Sequence, residues 1–181
     1  VLARVLYGGR PILLVSFISV AIALLVGIFI GMSAAYWGGA LDNIFMRFMD
    51  VMLSFPSVLL AILIVAALGP GLLNVLIAIT FSMVPVFARL VRSVVVTLVN
   101  EEYVKAAKAL GAEHARVILR HIFPNMIPAM IVQASALLAV AIGTATALNF
   151  LGLGVEPPTP DWGLMVSDGQ KLIFDAPHVP L

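Results

Sequence analysis

The sequence predicts an all-α membrane protein, a polytopic helical bundle with one short polar module set into it. Three observations predict this. Hydrophobic residues make up 62% of the 181 and charged residues only 10%, where a soluble globular domain has about a quarter charged; mean hydropathy is +1.16. Charge-free runs are long enough to cross a bilayer, whose hydrocarbon core needs about 20 apolar residues of helix. Between Asn100 and Asn125 the chain turns charged and carries helix start and stop signals.

The elements follow in order. Pro11 to Leu41 holds no charge, and its core, roughly Ile12 to Tyr36, is the first span. Val51 to Ala88 is also uncharged but too long for one helix. Leu68-Gly69-Pro70-Gly71 breaks it, because Pro cannot continue a helix and Gly favours turns. That places a second span near Val51–Leu68 and a third near Leu72–Ala88. Ile122 to Val155 is the last uncharged stretch, and the fourth span runs from about Pro128 to Phe150. Four spans put both ends on one side of the membrane.

Orientation follows from Lys and Arg, which collect on the cytoplasmic side. Arg47 lies between spans one and two, and Arg89, Arg92, Lys105, Lys108, Arg116 and Arg120 lie between spans three and four. The other side has Arg4, Arg10 and Lys171 together with the acidic Glu156, Asp161, Asp168 and Asp175. The loop 97–125 is therefore expected in the cytoplasm and the tail 156–181 outside. In that tail Pro157-Pro158-Thr159-Pro160 stiffens the exit, and Trp162, Met165, Val166, Leu172 and Ile173 recur at helical spacing, opposite Asp161, Asp168 and Lys171. This reads as a short amphipathic helix on the outer surface.

Composition excludes several classes. The net charge is +1, and no basic patch is large enough for nucleic acid. There is no cysteine, hence no disulfide framework and no thiol-ligated metal. No catalytic set is visible, and no cofactor is expected. The first residue is Val, so the chain reads as a fragment in which a signal peptide cannot be judged.

Within the polar module, Asn100 is placed to cap a helix whose first turn carries Glu101 and Glu102 beside the positive end of the helix dipole. Gly111 suits a C-terminal cap after Leu110. A second helix starts near Glu113, carries Arg116, Arg120 and His121, and is expected to close at Pro124. Val104, Ala107 and Leu110 form a small apolar ridge on the first helix, and Ala106, Ala107 and Ala109 keep its surface thin enough for another protein's groove. Connecting loops usually run to a few residues, and this one spends about two dozen on two capped helices. It reads as a docking surface for a soluble partner.

These residues resemble a known family. Ala106-Ala107, then Gly111 and Pro124, match the "EAA" loop of bacterial ABC importer permeases. Glu102-Tyr103-Val104, Ala109-Leu110-Gly111 and Arg120-His121-Ile122-Phe123-Pro124-Asn125 look like the dipeptide/oligopeptide/nickel branch. So do Tyr7-Gly8-Gly9-Arg10, Asp50-Val51-Met52-Leu53-Ser54-Phe55-Pro56 and the stretch from Phe150 to Gly163. The chain is most similar to the second ("C") permease subunit of such systems, the inner-membrane component of binding-protein-dependent transport. Lys105 stands where the family's name-giving Glu would be, and His121 where a branched aliphatic is common.

The resemblance implies a MetI-like, type I importer permease fold. It implies a single permease domain over 1–181, incomplete at both ends, with about four of six transmembrane helices. It implies an ATP-driven importer in a bacterial or archaeal inner membrane. There, a heterodimer of two permease subunits forms the pathway, two ATPase subunits dock on the cytoplasmic loops, and a binding protein delivers substrate outside. Glu101, Glu102, Ala106, Ala107, Gly111 and Pro124 then become the ATPase-docking residues. The chain agrees on one point: it has no Gly-Lys dipeptide, hence no phosphate loop, so ATP hydrolysis falls to a partner and this chain is not an enzyme. Peptide, glutathione and nickel-chelate systems share these motifs, and the substrate is not written in them.

Other features have two readings. Gly27, Gly31 and Ala35 put small residues on one face of span one, for close contact either within this subunit or with the second permease subunit. Ser135, Ala139, Gly143 and Ala147 form a similar stripe on span four, expected to pack within the chain. Gln133 and Thr144 lie within about 20° of each other on a helix, on a different side, and are the candidates to line the pathway. Pro56 and Pro85 read as kinks that shape the bundle, with Ser54, Ser57, Thr80 and Ser82 near enough to take up freed backbone groups. His114 and His121 read as solvated or docking residues. An intramembrane enzyme would need reactive groups at membrane depth, and every acid here lies outside the spans or at their edge. A passive scaffold would not need the capped module.

Overall fold

A computed structural model of the chain describes residues 2–171. The part of the expected outer helix that includes Leu172 and Ile173 lies outside the described residues. The elements are α1 (Leu2–Trp37), α2 (Gly39–Leu53), α3 (Ser57–Leu68), α4 (Leu72–Val99), α5 (Glu102–Ala109), α6 (His114–Val117), a π-helical turn (Ile118–Ile122), α7 (Phe123–Phe150) and α8 (Trp162–Lys171). The described residues contain helices and no strand, as the sequence predicts.

Three stretches are long and apolar enough to span a membrane: Leu2–Trp37, Leu72–Val99 and His114–Phe150. The expected second span is not a single helix. It is α3, preceded by α2 after a break at Ser54–Pro56, and the two qualify only as a pair. Alone, the 12 residues of α3 reach only about 18 Å, against a hydrocarbon core of about 30 Å. The break has a local cause. Pro56 has no N–H and disfavours helix at Phe55. The end of α2 folds back on itself instead: Ser54 donates its amide to Asp50 (3.0 Å) and its hydroxyl to Val51 (2.6 Å). Ser54 thus takes up a carbonyl as expected, but at a helix end rather than at a kink.

Packing groups the chain into two units. The first comprises, of the described residues, 2–21, 56–82 and 137–171. Its core is Ile12, Val15, Ala61, Val65, Val75, Ile79, Ala141 and Leu148, all buried. The Ser19 hydroxyl donates to the Leu76 carbonyl (3.1 Å), tying α1 to α4. Asn74 closes the Gly69–Gly71 turn by donating to Leu68 (3.2 Å) and Gly69 (3.0 Å).

The second unit comprises 22–55 and 83–136. Its core is Val91, Val95, Val104, Val117, Ile122, Met126 and Met130, with Leu24, Ile28, Met32, Ala35 and Tyr36 of α1 packed against it. Here the two readings of the Gly27–Gly31 stripe separate. A Cβ on Gly27 would strike Phe87, and one on Gly31 the Ala88 carbonyl, with Val91 Cβ at 2.8 Å. These glycines are contact points with α4 of the same chain. On the cationic end of α4, Arg92 holds Asp42 through two hydrogen bonds (2.5 and 2.6 Å), and Arg89 pairs with Asp50 at 2.8 Å. The second pair is half exposed on both sides and contributes about 0–1 kcal/mol.

The stripe on α7 is a correction. Ser135, Ala139 and Gly143 are exposed, and a Cβ on Gly143 would meet nothing within 4 Å. The buried face of this part of α7 is instead Leu137, Ala141, Thr144, Ala145 and Leu148.

Candidate functional site

The polar module begins one residue later than expected. Asn100 still belongs to the last turn of α4: its amide donates to Thr97 (3.1 Å) and its side chain to the Val96 carbonyl (2.8 Å). Its side-chain N–H is bonded back to the preceding helix, and the N-cap position of the next falls one residue later. Glu101 takes the N-cap position with extended backbone, and its carbonyl receives the Val104 and Lys105 amides, both at 3.1 Å. Glu102 lies in the first turn, where the helix dipole favours a carboxylate.

The end of α5 is the expected glycine cap, and its hydrogen bonds define it. Gly111 has φ +81°. Its amide donates to Lys108 (3.0 Å) and that of Ala112 to Ala107 (3.1 Å), the paired bonds of a Schellman motif. A Cβ on Gly111 would meet nothing within 4 Å, so glycine is required here for its backbone angle and not for space. The turn delivers the chain to Glu113, the N-cap of α6, whose carbonyl accepts from Val117 at 3.0 Å.

The second helix does not close at Pro124. The helical path from His114 runs unbroken to Phe150, with Pro124 in the first turn of α7 and Pro128 inside it. In a regular α-helix the Pro124 ring would crowd the Arg120 carbonyl. The π-helical turn Ile118–Ile122 widens the helix there, and Asn125 donates its side-chain amide to the His121 carbonyl at 2.6 Å. A proline stop was expected because the sequence pattern alone does not reveal a π-turn.

The module therefore has an inner and an outer side. Val104 and Val117 are fully buried in the second unit's core. Leu110, expected beside Val104 on one ridge, is instead 89% exposed on the turn. Of the six docking candidates, Glu101, Glu102, Ala106, Gly111 and Pro124 are exposed, and Ala107 is half-buried. Lys105 is exposed as well. Tyr103, Ala107, Leu110, Arg116 and His121 edge a groove of about 450 Å³. The surface offers small apolar steps, one projecting leucine and flanking charges of both signs. Such a surface can seat a partner and contains no reactive group.

The pathway candidates fare unequally. Thr144 is only 5% exposed and its hydroxyl donates to its own helix, to Val140 at 2.9 Å. It is packed inside the chain. Gln133 is half-buried.

One contact of the module is invisible in the sequence. Tyr36, at the end of α1, shares a 2.7 Å hydrogen bond with Nδ1 of His114, and the Lys108 ammonium sits 5.0 Å from the Tyr36 ring centroid. His114 is thus tied rather than merely solvated. Its partner is 78 positions away, too far for any local pattern to signal.

A second polar assembly lies in the first unit, around Asp161-Trp162-Gly163. The Asp161 carboxylate accepts from the Gly163 amide and from the Asn149 side chain, both at 2.8 Å. It caps α8, and Met165 donates to its carbonyl at 2.9 Å. Trp162 Nε1 donates to the Val5 carbonyl at 2.8 Å. Gly9 lies under the Trp162 ring, and Gly163 lies against the Thr146 carbonyl and Asn149. Burial raises the Asp161 carboxyl above its ordinary range, outweighing hydrogen bonds from Gly163, Leu164 and Asn149 that lower it.

The family described as the inner membrane component of binding-protein-dependent transport systems matches residues 12–179. The chain belongs to that family. It is an inner-membrane component of a transport system with the corresponding all-α fold. Among its relatives, a dipeptide transport system permease protein from Alkalihalophilus pseudofirmus is 49% identical over all 181 residues. A di/tripeptide transport system permease protein from Pseudomonas aeruginosa is 44% identical over 172, or 95% of the chain. A glutathione transport system permease protein from Pectobacterium atrosepticum is 38% identical over the whole chain. These relatives are named as transport permeases, not as enzymes. The chain spans 57 to 60% of their lengths.

Proposed function

We propose that this chain is part of a transmembrane subunit of an ATP-driven peptide importer, and that residues 97–125 are where a separate ATPase docks. The observation that carries the reading is the module itself: two short helices joined by a Schellman turn, with Val104 and Val117 anchored inside while Leu110 and the docking candidates face outward. A loop that only joined two spans would need neither the cap nor an exposed leucine. The peptide substrate is supported by the two relatives of highest identity quoted above, named for dipeptide and di/tripeptide transport.

The partners follow from the same reading. Two ATPase subunits bind the cytoplasmic loops, a binding protein delivers substrate outside, and a second permease subunit completes the pathway. The exposed small-residue stripe Ser135, Ala139 and Gly143 supports a close approach by a helix of that second subunit. In this reading 1–181 belongs to one permease domain, the module is cytoplasmic and the segment 156–181 is external. Gln133 remains the pathway candidate, and Thr144 serves packing.

Reconstitution tests this reading. The transporter containing this chain, co-expressed with its ATPase, should retain the ATPase through purification and take up a labelled dipeptide only when ATP is supplied. Because the chain has no cysteine, Glu113→Cys reports orientation cleanly. Labelling of that cysteine by an impermeant reagent from outside intact cells would overturn the cytoplasmic assignment.

A further inference from the structure

The module is joined covalently to α4 on one side and, through the π-turn, to α7 on the other. Any displacement of α5 and α6 by a docked protein is therefore felt by those two helices through the backbone. Helix α1 has no such link. Its contact with the module runs through side chains, and Tyr36 is where they converge. The phenol hydroxyl meets His114, the first residue of α6 (2.7 Å), with the rings edge-to-face at 88° and 5.6 Å between centroids. Lys108, in the last turn of α5, lies over the same ring. One side chain thus touches both helices of the module, on either side of the Gly111 turn. Elsewhere Met32 and Ala35 of α1 pack against the apolar cluster that includes Val104 and Val117. That contact is non-directional and lets the helices slide. A hydrogen bond at 2.7 Å with crossed rings fixes distance and orientation.

We infer that Tyr36 is a positioning residue that makes α1 move with the docking module, so that ATPase motion reaches three spanning helices rather than two. The inference rests on the docking reading given above. The Tyr36–His114 bond survives either imidazole tautomer, since the phenol donates to a bare Nδ1 and accepts from a protonated one. Tyr36 touches neither nucleotide nor substrate, and its effect is on how much transport each hydrolysis yields.

The experiment is a double-mutant cycle on the reconstituted transporter with Tyr36→Phe, His114→Ala and the pair, reading labelled dipeptide uptake per ATP hydrolysed. Each single substitution should lower that ratio about fivefold, the scale of one exposed hydrogen bond. The double variant should be no worse than either single one, because both remove the same link. Co-purification of the ATPase should be unchanged, and His114→Asn, which keeps a hydrogen-bonding group near the Nδ1 position, should restore most of the ratio. Singles that leave the ratio unchanged, a double loss near the product of the two, or no rescue by His114→Asn would each overturn the inference. If the unsubstituted transporter does not retain the ATPase, it is the docking reading that fails, and the inference falls with it.

Discussion

The polar module of residues 97–125 and the Asp161-Trp162-Gly163 assembly are both polar segments in an apolar chain, and both depend on glycine, but for opposite reasons. Gly111 turns with φ +81° in open space. Gly9 and Gly163 have no such angle and no space: a Cβ would enter the Trp162 ring in one case and the α7 backbone in the other. The module satisfies its backbone through local bonds and leaves its side chains outward. The assembly spends its side chains on the chain itself, with Asp161 0% and Asn149 1% exposed. The first segment is held by caps, and the second by buried side chains and close approach.

Substitutions at the two kinds of glycine should separate these roles. The largest effect is expected at Gly163, where even alanine collides with the Thr146 carbonyl and comes within 2.7 Å of Asn149 Cβ. Helix backbone cannot yield as a flexible side chain does, so Gly163→Ala should cost about 3 kcal/mol. Thermal unfolding in detergent would measure it, and an unchanged midpoint would mean α8 does not sit on α7. At Gly111, alanine should cost about 1–2 kcal/mol from the left-handed backbone alone, confined to the turn. Gly111→Val should leave insertion and global unfolding nearly intact while uptake and substrate-stimulated ATPase activity separate. If both activities survive together in vesicles, the cap does not position the docking surface.

The smallest expected effect is a pH dependence at Asp161. Its carboxyl is raised on folding above the ordinary 3.8, so the protonated form favours the folded state. That contribution is complete below about pH 3.8 and is lost as the pH climbs through the raised value. Asp161→Asn removes the titration. The unfolding midpoint of the parent chain minus that of the variant should therefore decline as the pH rises from about 3.8 through the raised value, and a flat difference would place Asp161 in a wetter setting.

Much of the fold was legible because charge-free length is a direct consequence of bilayer thickness, and α1, α4 and α7 all lie on the runs that predicted them. The proline arguments transferred less well. Pro56 ends a helix where a kink inside one was expected. Pro124 ends nothing, because the π-turn before it moves the carbonyl it would strike. In the module, Gly111 was readable from sequence since a C-terminal glycine acts on its immediate neighbours. The cap of α5 falls one residue past Asn100, whose side-chain N–H bonds back to α4. The Tyr36–His114 bond and the Trp162–Val5 bond join positions 78 and 157 apart. They are products of tertiary packing, and periodicity carries no trace of them. The stripe on α7 was assigned to the wrong side because small residues suit close contact with either this chain or another.

The π-turn also absorbs a surplus residue. From His114 to Phe150 the chain is one shaft, and the five residues Ile118–Ile122 carry one more residue than an α-helical path of the same span would. Deleting a single residue there would return the turn to a regular α-helix of the same span, so the two ends of the shaft would keep their phase and spacing. The Pro124 ring would then lie against the Arg120 carbonyl. The surplus residue is thus a local allowance that lets a proline sit inside a continuous helix.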